Sequence, residues 1–176
     1  MKLIFVFVVA IILFAVGECL DEDKCWTCQP AECMNKNDEP DWVEFGNNLY
    51  ALLEEQVFQE EGEKRCVELG GHLASIHSKE ENDFVHKLRG NNSVWIGQNK
   101  IANPGVDGTY TWTDGSPVDD FTVPWNQRQP KEKYTNCVFM ANNVDSNGEW
   151  NDYFCDQNLP IAYSPSPPFA ICKKPK

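Results

Sequence analysis

Two short stretches hold side chains whose types and spacing could do chemistry. The first is Gln127-Arg128-Gln129-Pro130-Lys131-Glu132-Lys133-Tyr134-Thr135-Asn136-Cys137, and the second is Asn151-Asp152, fourteen residues after Cys137. Gln129, Asn151 and Asp152 offer side-chain oxygens, the donors that a hard cation prefers. Pro130 sets a turn between polar neighbours at the tip of a long loop. Lys131 breaks the pattern, because an ammonium carries three donors and no acceptor and repels a cation. Either the two stretches still meet around a metal, or the lysine has closed that chemistry.

The surrounding pattern says which elements position these residues. Trp42 to Leu53 reads as two short strands about a turn at Gly46-Asn47-Asn48. From Glu54 to Leu69, Phe58, Gly62, Cys66 and Leu69 recur at helical spacing, and Gly70-Gly71 stops the helix. Ser78 and Glu81 form a capping box for a second helix whose buried face is Phe84, Val85 and Leu88. Strands follow at 94–97 and 109–112, the latter closed by the turn signal Asp114-Gly115. Residues 116–136 form a long irregular stretch, a length that usually carries function. Strands at 137–140, 149–153 and 169–172 complete an α+β order, for which antiparallel pairing is expected. Asn151-Asp152 thus sits on a strand and Gln129-Pro130-Lys131 on the loop before it.

In this order and spacing, Gly70-Gly71-His72-Leu73-Ala74-Ser75-Ile76, Trp95-Ile96-Gly97, Trp112-Thr113-Asp114-Gly115, Trp125, Pro130, Cys137, Trp150-Asn151-Asp152, Cys155 and Cys172 resemble the C-type lectin-like domain. The resemblance runs from about Trp42 to Lys173. It implies a fold of two helices flanking antiparallel sheets, with a long ligand-binding loop. It also implies two disulfides, Cys66–Cys172 and Cys137–Cys155. The family's extra N-terminal bridge has no counterpart, because Leu49 stands where its cysteine would be.

Sugar-binding members hold calcium through a loop Glu-Pro-Asn or Gln-Pro-Asp, a Glu two residues before the cysteine, and Asn-Asp on the strand. By that resemblance Gln129, Asn151 and Asp152 are the residual metal candidates. Lys131 and Thr135 replace two ligands, and one carboxylate remains. Calcium takes about six to eight oxygens with enough negative charge to balance it. At the family's second calcium position fall Lys100, Pro104, Glu132 and Asn136, and only Glu132 brings a charge. No resident cofactor is therefore expected, with calcium as the alternative. Lys131 would then serve as the resident cation, paired with Asp152. The resemblance makes Gln129, Lys131, Glu132, Asn151 and Asp152 the candidate ligand contacts, joined in a calcium-free mode by Trp125, Arg128, Lys133 and Tyr134. The ligand is a glycan or a protein, in a setting the family associates with innate immunity. A weak calcium-dependent lectin and a disulfide-linked oligomerising module are the alternatives.

Met1-Lys2 and the apolar run from Leu3 to Val16 read as a secretory signal over residues 1–17, too short for a span of about 20 residues. Residues 18–40 read as a Cys-rich extension and 41–174 as the lectin-like domain. Eight cysteines in a secreted chain read first as disulfides. The pairing of Cys19, Cys25, Cys28 and Cys33 stays open. Cleavage after Cys19 would leave one cysteine free to crosslink chains. A redox or zinc role for Cys25-Trp26-Thr27-Cys28 lacks a supporting βαβ unit or nearby histidine. The net charge of −12 becomes −13 once Lys2 is removed, which disfavours nucleic acid and anionic membrane as partners. No triad, phosphate loop or catalytic carboxylate pair is present, and His72, His77 and His86 read as structural or surface residues, so the chain is not expected to be an enzyme. Asn91-Asn92-Ser93 is an N-glycosylation acceptor. Leu159 to Pro168 is a Pro-rich insertion that reads equally as a partner contact or a tolerated protrusion.

Overall fold

The computed structural model describes residues 39–101, 109–118, 121, 124–127, 129–130, 135–142, 148–155 and 167–176. The first hairpin is β1 (Val43–Phe45) and β2 (Asn48–Leu52), turned at Gly46 with φ of 58°. Then come α1 (Gln59–Glu68), β3 (His72–Leu73), α2 (Lys79–Leu88), β4 (Val94–Asn99), β5 (Thr111–Trp112), β6 (Cys137–Met140), β7 (Trp150–Tyr153) and β8 (Phe169–Pro175). Strands run in the order β1-β2-β8-β4-β6-β7, with β3 on β8 and β5 on β4.

Most pairs are antiparallel, as expected, but β4 and β8 run parallel, with Val94 opposite Phe169 and Trp95 opposite Ala170. The C-terminal strand therefore closes the sheet between β2 and β4. Every residue of β4 is buried, because neighbours cover both edges and side chains cover both faces. This explains why Val94-Trp95-Ile96 reads as a continuous apolar run rather than an alternation. Gly97 lies within this strand because a Cβ there would stand 2.7 Å from the Leu73 carbonyl oxygen and 2.8 Å from Thr113 Oγ1.

The first helix starts five residues later than its periodicity predicts. Leu53 N–H donates to the Ala170 carbonyl (2.9 Å) and Val57 N–H to the Pro168 carbonyl (3.1 Å), which holds this stretch extended against the start of β8. Phe58 is then the N-cap instead of an interior helical position. The buried face of α1 is Gln59, Gly62 and Cys66. Gln59 anchors the helix to β4, its Nε2 donating to the Ile96 and Gln98 carbonyls at 2.8 and 3.1 Å. For α2, half of the predicted box forms. Ser78 Oγ accepts from Glu81 N–H, but the Glu81 carboxylate turns inward and accepts from the Tyr50 hydroxyl, His77 N–H and Lys173 Nζ. The helix buries Glu81, Asn82 and Val85, while Phe84 and Leu88 are only partly covered.

Cys66 is bonded to Cys172 and Cys137 to Cys155. The first bridge joins α1 to the closing strand across 106 residues, a loop for which the chain-entropy model gives roughly 4–5 kcal/mol of stabilisation. Trp150 is fully buried and donates through Nε1 to Asn82 Oδ1 at 2.8 Å, with Trp112, Phe121 and Trp125 around its ring. Among the described residues no helix is long and apolar enough to cross a membrane. The N-terminal cysteines, the signal stretch and positions 159–166 of the insertion lie outside the described residues.

Candidate functional site

The loop segment that carries Gln129 is stitched to the outer edge of β7. Trp150 N–H donates to the Pro124 carbonyl at 2.8 Å, and Asn126 N–H donates to the Trp150 carbonyl at 3.0 Å. Trp125 and Trp150 form a parallel bridge. Gln129 N–H then donates to the Asn126 carbonyl at 3.0 Å, closing a tight turn, and the following Gln129–Pro130 peptide is cis. This chain of bonds fixes Gln129 relative to the residue just before Asn151. Asn151 pairs with Phe139 and Asp152 with Val138 in the β6–β7 ladder, and both side chains are buried.

Backbone hydrogen bonds thus tie Gln129, through Asn126, to Trp150, the residue that precedes Asn151 and Asp152 on β7. Gln129 Oε1 is buried and has no hydrogen-bond partner among the described residues. Asp152 accepts a hydrogen bond from the Thr135 hydroxyl through Oδ2. Lys131 and Glu132, with Arg128, Lys133 and Tyr134, lie outside the described residues.

Tyr110 completes this face and was not singled out by motif. Its hydroxyl is buried without a hydrogen-bond partner among the described residues. Burial first, and then the negative charge of Asp152, push its phenol well above the usual tyrosine range. The Tyr110 ring is 5.4 Å from that of Trp125 and lies under Lys100, whose Nζ is 4.5 Å from the ring centre. Lys100 is itself only 7% exposed, and its N–H donates to the Asn136 carbonyl at 2.8 Å, pinning the root of the long loop. The sequence signal for Tyr110 was the Tyr-Thr-Trp alternation, which puts it on the face of the core residue Trp112.

A second polar cluster fastens the other end of the loop. Lys173 Nζ bridges Glu81 at 2.7 Å and the Ser75 carbonyl at 2.9 Å. Ser75 Oγ donates to Asp114 Oδ2 and Ser116 Oγ to Asp114 Oδ1, each at 2.5 Å. Burial opposes ionisation of Asp114, but the bonds from Ser116 and Ser75 and the charge of Lys173 outweigh it, so its carboxyl sits below its ordinary value. Ser116 Oγ also lies 3.1 Å from His77 Nε2. His72 Nδ1 contacts Glu63 at 2.6 Å, and His86 Nδ1 accepts from Arg89. All three histidines therefore sit in local structural contacts.

In the sugar-binding domains that this sequence resembles, the corresponding residues hold calcium. The described oxygens are the Gln129 and Asn151 carboxamides, the Thr135 hydroxyl and one carboxylate, Asp152, already bonded to Thr135. Among the described residues no group of three or more His, Cys, Asp or Glu converges to hold a metal. Among the described residues, one carboxylate with a donor hydroxyl on it is less charge and fewer ligands than a resident calcium site takes.

The model of the lectin C-type domain matches residues 55–162. The chain belongs to the C-type lectin family. It is 28% identical over 144 residues to C-type lectin domain family 6 member A of Mus musculus, covering 81% of this chain and 63% of that protein. It is 32% identical over 159 residues to an alpha-N-acetylgalactosamine-specific lectin of Patiria pectinifera, covering 84% and 88%. It also aligns with 9% of human C-type mannose receptor 2, so the chain spans less than two thirds of several of the relatives it matches. Among solved structures, the cow CD23 carbohydrate-recognition domain crystallised with a GlcNAc2Man3 oligosaccharide superposes with a TM-score of 0.61 at 27% identity, covering 85% of this chain and 97% of that one. A calcium-independent type II antifreeze protein superposes with a TM-score of 0.61 at 29% identity, covering 76% and 91%. The C-type lectin domain of this chain is a binding domain, not an enzyme.

Proposed function

We propose that this chain is a secreted C-type lectin that binds a glycan through residues 116–136 and β7 without a resident calcium ion. The observation that carries the reading is the Thr135 hydroxyl on the only described carboxylate of the face, Asp152. Glycan recognition is supported by the relatives, whose names include a GalNAc-specific lectin and a receptor domain crystallised with an oligosaccharide. In the calcium-free mode, Gln129 and Asn151 meet sugar hydroxyls directly, and Trp125 and Tyr110 offer apolar ring surface beside them. Lys131 supplies the positive charge that a metal would otherwise bring to Asp152. Secretion rests on the leader-like residues 1–17.

A weak calcium-dependent lectin is the second reading. The Gln129 Oε1, which has no hydrogen-bond partner among the described residues, favours it, because a cation would satisfy that oxygen. Calorimetric titration of calcium into the secreted protein, with a glycan array read in calcium and in chelator, decides between them. Glycan binding unchanged by chelator, and no calcium heat, is expected. Calcium binding tighter than about millimolar, with glycan signal lost in chelator, would overturn the calcium-free reading.

A further inference from the structure

The motif that ligand binding does not absorb is Asn91-Asn92-Ser93, the single Asn-X-Ser/Thr triplet in the chain with X other than proline. It occupies the turn between α2 and β4. Gly90, at φ of 58°, ends the helix and turns the chain outward. Asn91 is exposed, and its side chain makes no hydrogen bond among the described residues. The next two residues are held firmly. Asn92 N–H donates to the Arg89 carbonyl at 3.1 Å, and Arg89 Nη1 returns a bond to the Asn92 carbonyl at 2.9 Å. The Ser93 carbonyl accepts from Phe169 N–H at 2.9 Å, and Ser93 Oγ accepts from Asn142 N–H at 3.2 Å.

We propose that Asn91 carries an N-linked oligosaccharide, added before the C-terminal strand closes the fold. The proposal rests on the secretory route proposed above. The donor is a lipid pyrophosphate-linked oligosaccharide. Asn91 Nδ2 loses a proton and forms a bond to the anomeric carbon, the bond from that carbon to the pyrophosphate oxygen breaks, and the lipid pyrophosphate leaves with the electron pair. No oxidant or reductant takes part. The timing follows from what holds the triplet. A transferase must engage Asn91 and the Ser93 hydroxyl together on a pliable chain. In the folded domain that hydroxyl is bonded to a residue 49 positions downstream, and the Ser93 backbone is bonded to β8. Both partners emerge late in synthesis, and β8 is locked by Cys66–Cys172. Placement favours a glycan that leaves the ligand face free. Asn91 precedes β4, whereas Lys100 and the loop root follow it, and the six residues of the strand set these ends about 17 Å apart.

The test expresses the full chain in a eukaryotic secretory host, alongside the same chain behind a heterologous leader. Intact mass and gel mobility are read before and after peptide N-glycosidase. The expected result is a single glycan on the secreted protein, lost in Asn91→Gln and in Ser93→Ala. A glycosylated leader-fused chain, with the full chain left unsecreted, would retire the secretion reading and keep the site. A leader-fused chain secreted without glycan overturns the site. Occupancy in Cys66→Ser/Cys172→Ser should equal or exceed that of the parent, and a fall in occupancy overturns the timing.

Discussion

The hydroxyl of Thr135 donates to Asp152 Oδ2, tying the last residues of the long loop to β7. A carboxylate that accepts this bond has one lone-pair site fewer for a metal, and a hydroxyl at 135 brings no charge. The combination Lys131→Asp with Thr135→Glu should therefore create calcium affinity around the millimolar range or tighter, a range in which extracellular sites work. At calcium tenfold above Kd, linkage raises stability by about 1.4 kcal/mol. Calorimetry and thermal melts with and without calcium check both effects. No heat from the double variant would mean that Gln129 and Asn151 are not aimed at a shared point.

Tyr110 places a hydroxyl in a buried position with no hydrogen-bond partner among the described residues. Leaving such a group unmade costs about 1–3 kcal/mol. Tyr110→Phe should thus stabilise the free protein, by roughly 1 kcal/mol in urea unfolding, while the ring contacts with Trp125 and Lys100 persist. If the hydroxyl serves the ligand, glycan-array signal falls in the same variant. A loss of stability would show that the hydroxyl has a partner in solution.

Glu81 accepts from Tyr50, from His77 N–H and from Lys173, and so joins β2, the approach to α2 and β8 at one carboxylate. Both charged partners are largely buried, with side chains 9% and 13% exposed. Removing one partner of such a pair strands the other, at about 3–5 kcal/mol. Glu81→Ala should lose that much in urea unfolding, and Glu81→Ala with Lys173→Met should recover a large part. If the double variant is no better than the single one, the pair is not what holds these strands.

Much of this was readable from the sequence because the signals were local or came as an ordered set. Trp95-Ile96-Gly97, Trp112-Thr113-Asp114-Gly115 and the cysteines fixed the family, and the expected bridges are those found. What escaped depended on partners distant in sequence. The start of α1 moved because Val57 bonds to Pro168, more than a hundred residues away. Glu81 looked like a capping residue because Ser78 is three positions back, and nothing local announced Lys173. The parallel pairing of β4 with β8 followed from closure of the chain by its last strand, which periodicity does not encode. At the site, Gln129, Asn151 and Asp152 were legible as oxygen donors. The Tyr110 hydroxyl beside them was not, because a strand tyrosine reads first as packing.

His86 gives the fold a pH dependence of definite sign. Burial, and then the positive charge of Arg89, hold its pKa below the ordinary histidine value, with Asp83 opposing weakly. The unfolded chain takes up the proton near pH 6.5, before the folded chain does. Above that pH the imidazole is neutral in both states and contributes no pH dependence. As pH falls through 6.5, the unfolded state binds more protons and stability is lost. His86→Gln keeps an acceptor for Arg89 and cannot charge. The drop in melting temperature between pH 7.5 and 5.5 should be smaller in His86→Gln than in the parent. Equal slopes in the two proteins would show that His86 is as free to protonate in the fold as in the unfolded chain.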